Sequence, residues 1–326
     1  MKISLFLLKI ARKCSLLKRN QYFLDTLIES KRRYKDSYIN FFFPAHRTKF
    51  LVAIFGINDY YGITDRFKAI SGIYEVAKRN GLAFRIHQNE PFKLKDYLVP
   101  NQYDWDAFYP TLKASHIFLA GDEDDLHRRV LERIIRHNKT AILYIHGNSS
   151  FGVPYLRNNF RELFIPVEKL HNLIESTSIA LGQFISVTFR FVNLLGDSTE
   201  DVDGFSPLPK ERQEFLMDRC IQKLLLIRSQ HHYQLLITTD SSKFLRRVDA
   251  LNIPDIYHLN GEDTHHHIGY STVVSELEMF KSFAEFYLIG LAEHAYQIKI
   301  GPMYASNFPK HAARIGEVPY DLIESE

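Results

Sequence analysis

An α/β protein of two open-sheet halves, preceded by a basic helical appendage, is the fold class this sequence predicts. Two strand–loop–helix runs carry that expectation, one beginning at Phe50 and the other at Ile185. In both, a buried strand ends in a loop rich in polar and turn-forming residues, where open α/β sheets bind ligands. The length of 326 residues leaves room for two domains.

Residues 1–49 form the appendage. Ile3, Phe6, Leu7, Ile10, Cys14 and Leu17 share one helical face, while Lys2, Lys9, Arg12, Lys13 and Arg19 lie mostly elsewhere. Such a helix suits an anionic membrane surface, and it equally suits packing on the protein's own core. The apolar run Ile3–Leu8 is too short for a signal peptide and has no small-residue cleavage site after it. No stretch approaches the ~18 apolar residues of a membrane span. A second helical stretch covers residues 21–35.

Charge is unevenly spread. The chain carries +3 overall and residues 1–49 carry +9, which leaves −6 for the rest. Nucleic-acid binders more often hold their positive charge on the folded body, so no nucleic-acid partner is expected. Cys14 and Cys220 are the only cysteines. They make neither a disulfide framework nor a zinc site, and a reducing, cytoplasmic setting follows.

The first domain is expected over residues 50–165 and the second over 166–326, joined within about 150–182. Phe50–Phe55 (FLVAIF) is a core strand. After it come a glycine-containing turn and a helix whose Phe67, Ile70, Ile73, Tyr74 and Ala77 face the sheet, closed by Asn80-Gly81. A strand follows at 82–86. The unit lacks the dinucleotide fingerprint GxGxxG, and the chain has no GxxxxGK[ST] phosphate loop, which disfavours an NAD-dependent enzyme or a P-loop NTPase.

Residues 116–120 and 141–145 read as strands around a helix containing Leu126, Val130, Leu131, Ile134 and Ile135. The acids Asp122 to Asp125 include a D-x-D spacing, but acids at a helix start are ordinary and we assign no metal there. His146 follows the second of these strands. Residues 147–158 are rich in turn formers, and a helical pattern resumes after Pro166.

The second run opens with Ile185–Phe189, a β-branched and aromatic strand. Arg190 ends it, followed by Asn193, Gly196, Asp197, Glu200, Asp201 and Asp203. A guanidinium at the carboxyl end of a buried strand can hold a phosphate, or can simply pair with nearby acids. Ser206–Pro209 is a loop, residues 210–229 a helix, and Tyr233–Thr238 a strand with Asp240 and Ser241 at its end. That pair reads either as a nucleotide contact or as a helix N-cap. Adjacent side chains in extended chain alternate in direction, so His265, His266 and His267 are not expected to share one ion. A long helix covers about 274–294 and a strand 296–300. Ser306, Asn307 and Phe308 then stand at a helix start, where backbone N–H groups favour anions.

Four ordered patches resemble the fucosyltransferase-like glycosyltransferases, in particular a bacterial branch. The first is Gly62, Ile63, Thr64, Asp65 and Arg66 with Pro91, Leu94, Tyr97-Leu98, Pro100-Asn101 and Trp105. The second is Thr188-Phe189-Arg190 with Phe191-Val192-Asn193 and Leu195-Gly196-Asp197. The third is Thr239-Asp240. The fourth is Glu285 with Ser306-Asn307-Phe308 and Ala312-Ala313. Together they span about residues 56–316. The family's usual residues are replaced at Thr64 (glycine), Thr188 (histidine), Glu285 (aspartate) and Asn307 (a small residue).

The resemblance implies two facing Rossmann-like domains of the type called GT-B, with a ligand in the cleft between them. It implies an inverting, metal-independent transfer from a GDP-sugar, GDP-fucose foremost, to a glycan hydroxyl. Donor contacts would come from Gly62, Asp65, Arg66, Arg190, Asn193, Asp240, Ser241, Ser306, Asn307 and Phe308. Arg190 would stabilise the leaving group, and Asp197, or else Glu200, would serve as general base. The GDP-sugar would be a co-substrate with no further cofactor. The amphipathic helix over residues 1–19 hints at a lipid-linked glycan acceptor at the inner face of a membrane, as in surface polysaccharide assembly. The altered positions also fit a binding protein that keeps the nucleotide site without turnover.

Overall fold

Parallel sheets form where short β-branched and aromatic runs are buried on both faces and connected by amphipathic helices. The computed structural model describes residues 50–55, 62–89, 92–107, 115–119, 124–137, 142–147, 150–197, 204–259 and 275–326. The appendage, Glu200 and His265–His267 lie outside them. Two compact units result, with Pro166–Glu326 in the second; the second also takes in Lys95–Leu98.

In the first unit, β1 (Phe50–Phe55) leads to α1 (Ile63–Arg79) and β2 (Ala83–Gln88). After the short β3 (Leu98–Pro100) come β4 (Ser115–Leu119), α2 (Asp124–His137) and β5 (Ile142–Gly147). The sheet runs β2-β1-β5-β4, all parallel. The expected inward face of α1 is buried throughout, from Phe67 to Ala77. The helix ends as Gly81 takes φ 61°, with Leu82 N–H returning to the Ala77 carbonyl. β5 extends through His146 and Gly147, which therefore lie inside the strand.

The stretch expected to link the domains is folded. It holds α3 (Leu156–Leu163), β6 (Phe164–Pro166) and α4 (Glu168–Glu175). Leu156, Phe160 and Leu163 form the buried stripe of α3. The preceding turn lies against α1: a Cβ on Gly152 would come 1.9 Å from the Lys68 carbonyl oxygen.

The second unit holds β7 (Phe184–Phe189), α5 (Lys210–Gln230), β8 (Gln234–Thr239), α6 (Ser242–Asp249) and β9 (Ile256–Tyr257). Then come α7 (Glu276–Ile289), β10 (His294–Ile300), α8 (Asn307–Gly316) and β11 (Tyr320–Ser325). All five strands are parallel, in the order β11-β10-β7-β8-β9. The order reverses between β7 and β10, so the connections from these two strands leave in opposite directions and open a crevice at their carboxyl ends.

β7 is buried at all six positions, as a central strand must be. Phe189, Phe191 and Phe244 form a ring cluster under its end, with Phe244 centroids 4.7 Å from Phe189 and 5.1 Å from Phe191. At the far side, α8 ends against the end of α7. A Cβ on Gly316 would lie 1.9 Å from the Gly290 carbonyl oxygen, so the two backbones meet directly.

Candidate functional site

The crevice of the second unit gathers most of the residues singled out in the sequence. Arg190 follows the last residue of β7, and its carbonyl accepts from Tyr304 N–H at 3.2 Å. That bond ties the end of β7 to the loop after β10, across the point where the strand order reverses. The Arg190 side chain keeps 24% exposure, and its Nη1 lies 2.9 Å from Asp240 Oδ2. Arg190 thus pairs with an acid from the end of β8.

Asp240 is buried and fully engaged. Phe191 N–H donates to Oδ1 at 2.9 Å and Val192 N–H to Oδ2 at 2.6 Å. Both oxygens thus accept from the chain that follows Arg190. The N-cap of α6 is Ser241, whose Oγ accepts from Phe244 N–H at 3.1 Å.

Asp197 stands at the start of α6. Its Oδ2 accepts from Ser241 Oγ at 2.7 Å and from Lys243 N–H at 2.8 Å. The negative charge stands at the start of α6, where the helix dipole favours it. Its Oδ1 is buried with no hydrogen-bond partner. Asn193 is half-buried, and its carbonyl closes a turn with Gly196 N–H at 3.1 Å. Gly196 adopts φ 71°, which explains a glycine there.

Ser306 caps α8, accepting from Phe308 N–H at 3.1 Å. Asn307 is exposed at the first position of the helix. The Phe308 ring packs edge-on against Phe286 at 5.5 Å, so it serves the core. Thr188, standing where the family has histidine, shares a 2.7 Å bond with Thr238 on the neighbouring strand.

Gly62, Asp65 and Arg66 lie apart from this cluster in sequence, around the start of α1. Asp65 pairs with Lys68 at 2.6 Å. The buried Arg66 guanidinium lies over the Phe55 and Phe92 rings at 5.4 and 5.8 Å. Asp65 is thus engaged within its own helix and Arg66 with the rings beside it.

A cavity and the approach of one histidine escaped the sequence reading. A cavity of about 310 Å³ opens beside α7, lined by Ser176–Ile179, Tyr257–Leu259, Leu277 and Lys281 among others. Lys281 pairs with the buried Glu285 at 3.7 Å. Burial pushes the Glu285 pKa up, against the pull of Lys281 and His258, while Asp240 pushes it further up. The i,i+4 spacing of Lys281 and Glu285 was readable; the approach of His258 was not. A carboxyl whose pKa is higher in the folded state stabilises the fold at acid pH, and that contribution is lost as pH rises through the folded value. The stability of the wild type relative to Glu285→Gln should therefore fall as pH rises above the ordinary carboxyl range. Melting curves at several pH values check it, and a difference that grows with pH contradicts it.

Among the described residues, no group of three His, Cys, Asp or Glu side chains is placed to hold an ion. No described helix is long and apolar enough to cross a membrane.

No family model and no curated protein sequence matches the chain. Solved structures do. A mutant of Arabidopsis thaliana FUT1 in complex with GDP aligns with a TM-score of 0.53 at 14% identity, covering 100% of this chain and 80% of that one. The fucosyltransferase NodZ from Bradyrhizobium aligns at 0.53 and 13%, covering 86% and 96%. A NodZ α-1,6-fucosyltransferase soaked with GDP-fucose aligns at 0.52 and 14%, with the same coverage. The chain has the fold of these fucosyltransferases. This is the Rossmann-like GT-B fold that the sequence predicts, and in the second unit of this fucosyltransferase fold the strand-order reversal coincides with Arg190.

Proposed function

We propose that the protein is a glycosyltransferase that takes a GDP-sugar, with fucose the first choice, and passes the sugar to a glycan hydroxyl with inversion. One observation carries the reading: Arg190 sits at the carboxyl end of the central strand, on the reversal point of the sheet, with its backbone and side chain both fixed. A cation held there can meet the diphosphate of a nucleotide-sugar and stabilise the charge that builds as the sugar leaves. The first turn of α8, begun by Ser306, offers backbone N–H groups to the same anion. The solved neighbours carrying GDP or GDP-fucose support this choice of donor.

The diphosphate charge is met by Arg190 and helix N–H groups, so the donor binds without a divalent ion. Calorimetry should show GDP binding of equal strength with and without EDTA; binding that disappears on chelation contradicts the metal-free reading. Asp197, at the start of α6, is the first candidate for the general base that deprotonates the acceptor hydroxyl, and Glu200 the second. The acceptor is proposed to be a lipid-linked glycan on a cytoplasmic membrane face, approached through the basic helix of residues 1–19.

Thr188 favours a second reading. Its hydroxyl is satisfied by Thr238, so the family's histidine has been replaced by a side chain turned to its own sheet. A protein that binds GDP-sugars without turning them over fits this. GDP release measured with GDP-fucose and a panel of glycan acceptors separates the two.

A further inference from the structure

We propose that Asp240 is a positioning residue that fixes Arg190 and the two residues after it in the one arrangement that can grip a diphosphate; the proposal rests on that role for Arg190. Three donors converge on its carboxylate: the Arg190 guanidinium and the successive N–H groups of Phe191 and Val192. Two consecutive amides closing on one anion form an anion nest. Here the anion is the protein's own.

The nest has a conformational cost. Val192 adopts φ 57°, a region that a β-branched residue rarely enters. Such strain persists only where the surroundings over-determine it. Asp240 supplies that restraint from the end of β8, and its own side chain is only 2% exposed. The burial of Phe191 and Val192 holds the same turn from below.

A carboxylate beside a phosphate-binding arginine could be expected to cancel its charge. The hydrogen bonds argue otherwise. The negative charge of Asp240 is spread over two backbone amides as well as Arg190 Nη1, so the carboxylate is not given to the guanidinium alone. Asp240 therefore orients the fork while sharing its charge among three donors. Charge-assisted bonds of this kind are shorter and stronger than neutral ones, which suits a group that must not move as charge develops.

Asparagine at 240 keeps the size but turns an NH₂ group toward one of the three donors. GDP affinity measured by calorimetry on wild type, Asp240→Asn, Arg190→Lys and the double variant tests the idea. Asp240→Asn should weaken GDP by about tenfold when Arg190 is present and change little in the Arg190→Lys background, because coupled residues do not add. Equal losses in both backgrounds overturn the positioning role. Asp240→Glu keeps the charge but moves the carboxylate by one methylene, and it should also weaken GDP; wild-type affinity in that variant overturns the proposal too. Absence of GDP binding by the wild type instead sinks the functional reading, and this proposal with it.

Discussion

Arg190→Lys is expected to lower GDP-sugar turnover by the equivalent of about 2.7–4 kcal/mol of transition-state stabilisation, in line with the loss of one oxyanion donor. Lysine keeps the positive charge but not the planar fork that reaches two phosphate oxygens while also meeting Asp240. Arg190→Ala should be worse, since it also leaves Asp240 with a buried charge and two amides for company. The competing account makes Arg190 a partner of Asp240 and nothing more. Under that account the variants lose thermal stability, and the folded fraction turns over like wild type. Melting temperature and GDP release on the same preparations decide between them.

Phe244→Ala is expected to cost about 3–5 kcal/mol of stability. The ring is fully buried, touches Phe189 and Phe191, and sits on the first turn of α6. Removing it opens a cavity under the strand end that carries Arg190. Denaturant unfolding should show the midpoint fall with little change in slope. A loss under 1 kcal/mol would mean that the cluster does not hold the strand end. GDP affinity, measured well below the melting point, should fall as well, because the floor of the Arg190 turn has gone.

The order of elements was largely legible because each central strand is a continuous apolar run followed by polar loop residues. FLVAIF and ISVTF announce themselves in this way. β11 was missed because YDLIES mixes polar and apolar residues without a regular period and has no buried position, as a sheet edge allows. α3 was hidden by the turn formers before it, although Leu156, Phe160 and Leu163 already had helical spacing. In the site, Arg190 was legible because a lone cation ending a buried strand is unusual. The contacts of Asp240 were not. A Thr-Asp pair after a strand serves equally as a nucleotide contact, a cap or a brace, and the sequence holds no sign of its bonds to Arg190, Phe191 and Val192. The left-handed turn at Val192 leaves no trace in the sequence, since valine is the last residue that turn chemistry would suggest. Asp197 was singled out because acids in a loop beside a phosphate site invite the reading of a base; its bond to Ser241, 44 residues further on, was not legible.

The backbone contact between Gly290 and Gly316 fixes the far end of α8. α8 has ten residues, so its capped start lies about 15 Å from that contact. A tilt of about 10° there would swing Ser306 through about 2.6 Å on that lever arm. Misplacement of about 1 Å already costs an enzyme about a hundredfold in rate. Side chains at such a junction could slide past one another; two backbones in contact have no such slack. The aim of the helix at the crevice thus depends in part on its opposite end, where two residues without side chains meet.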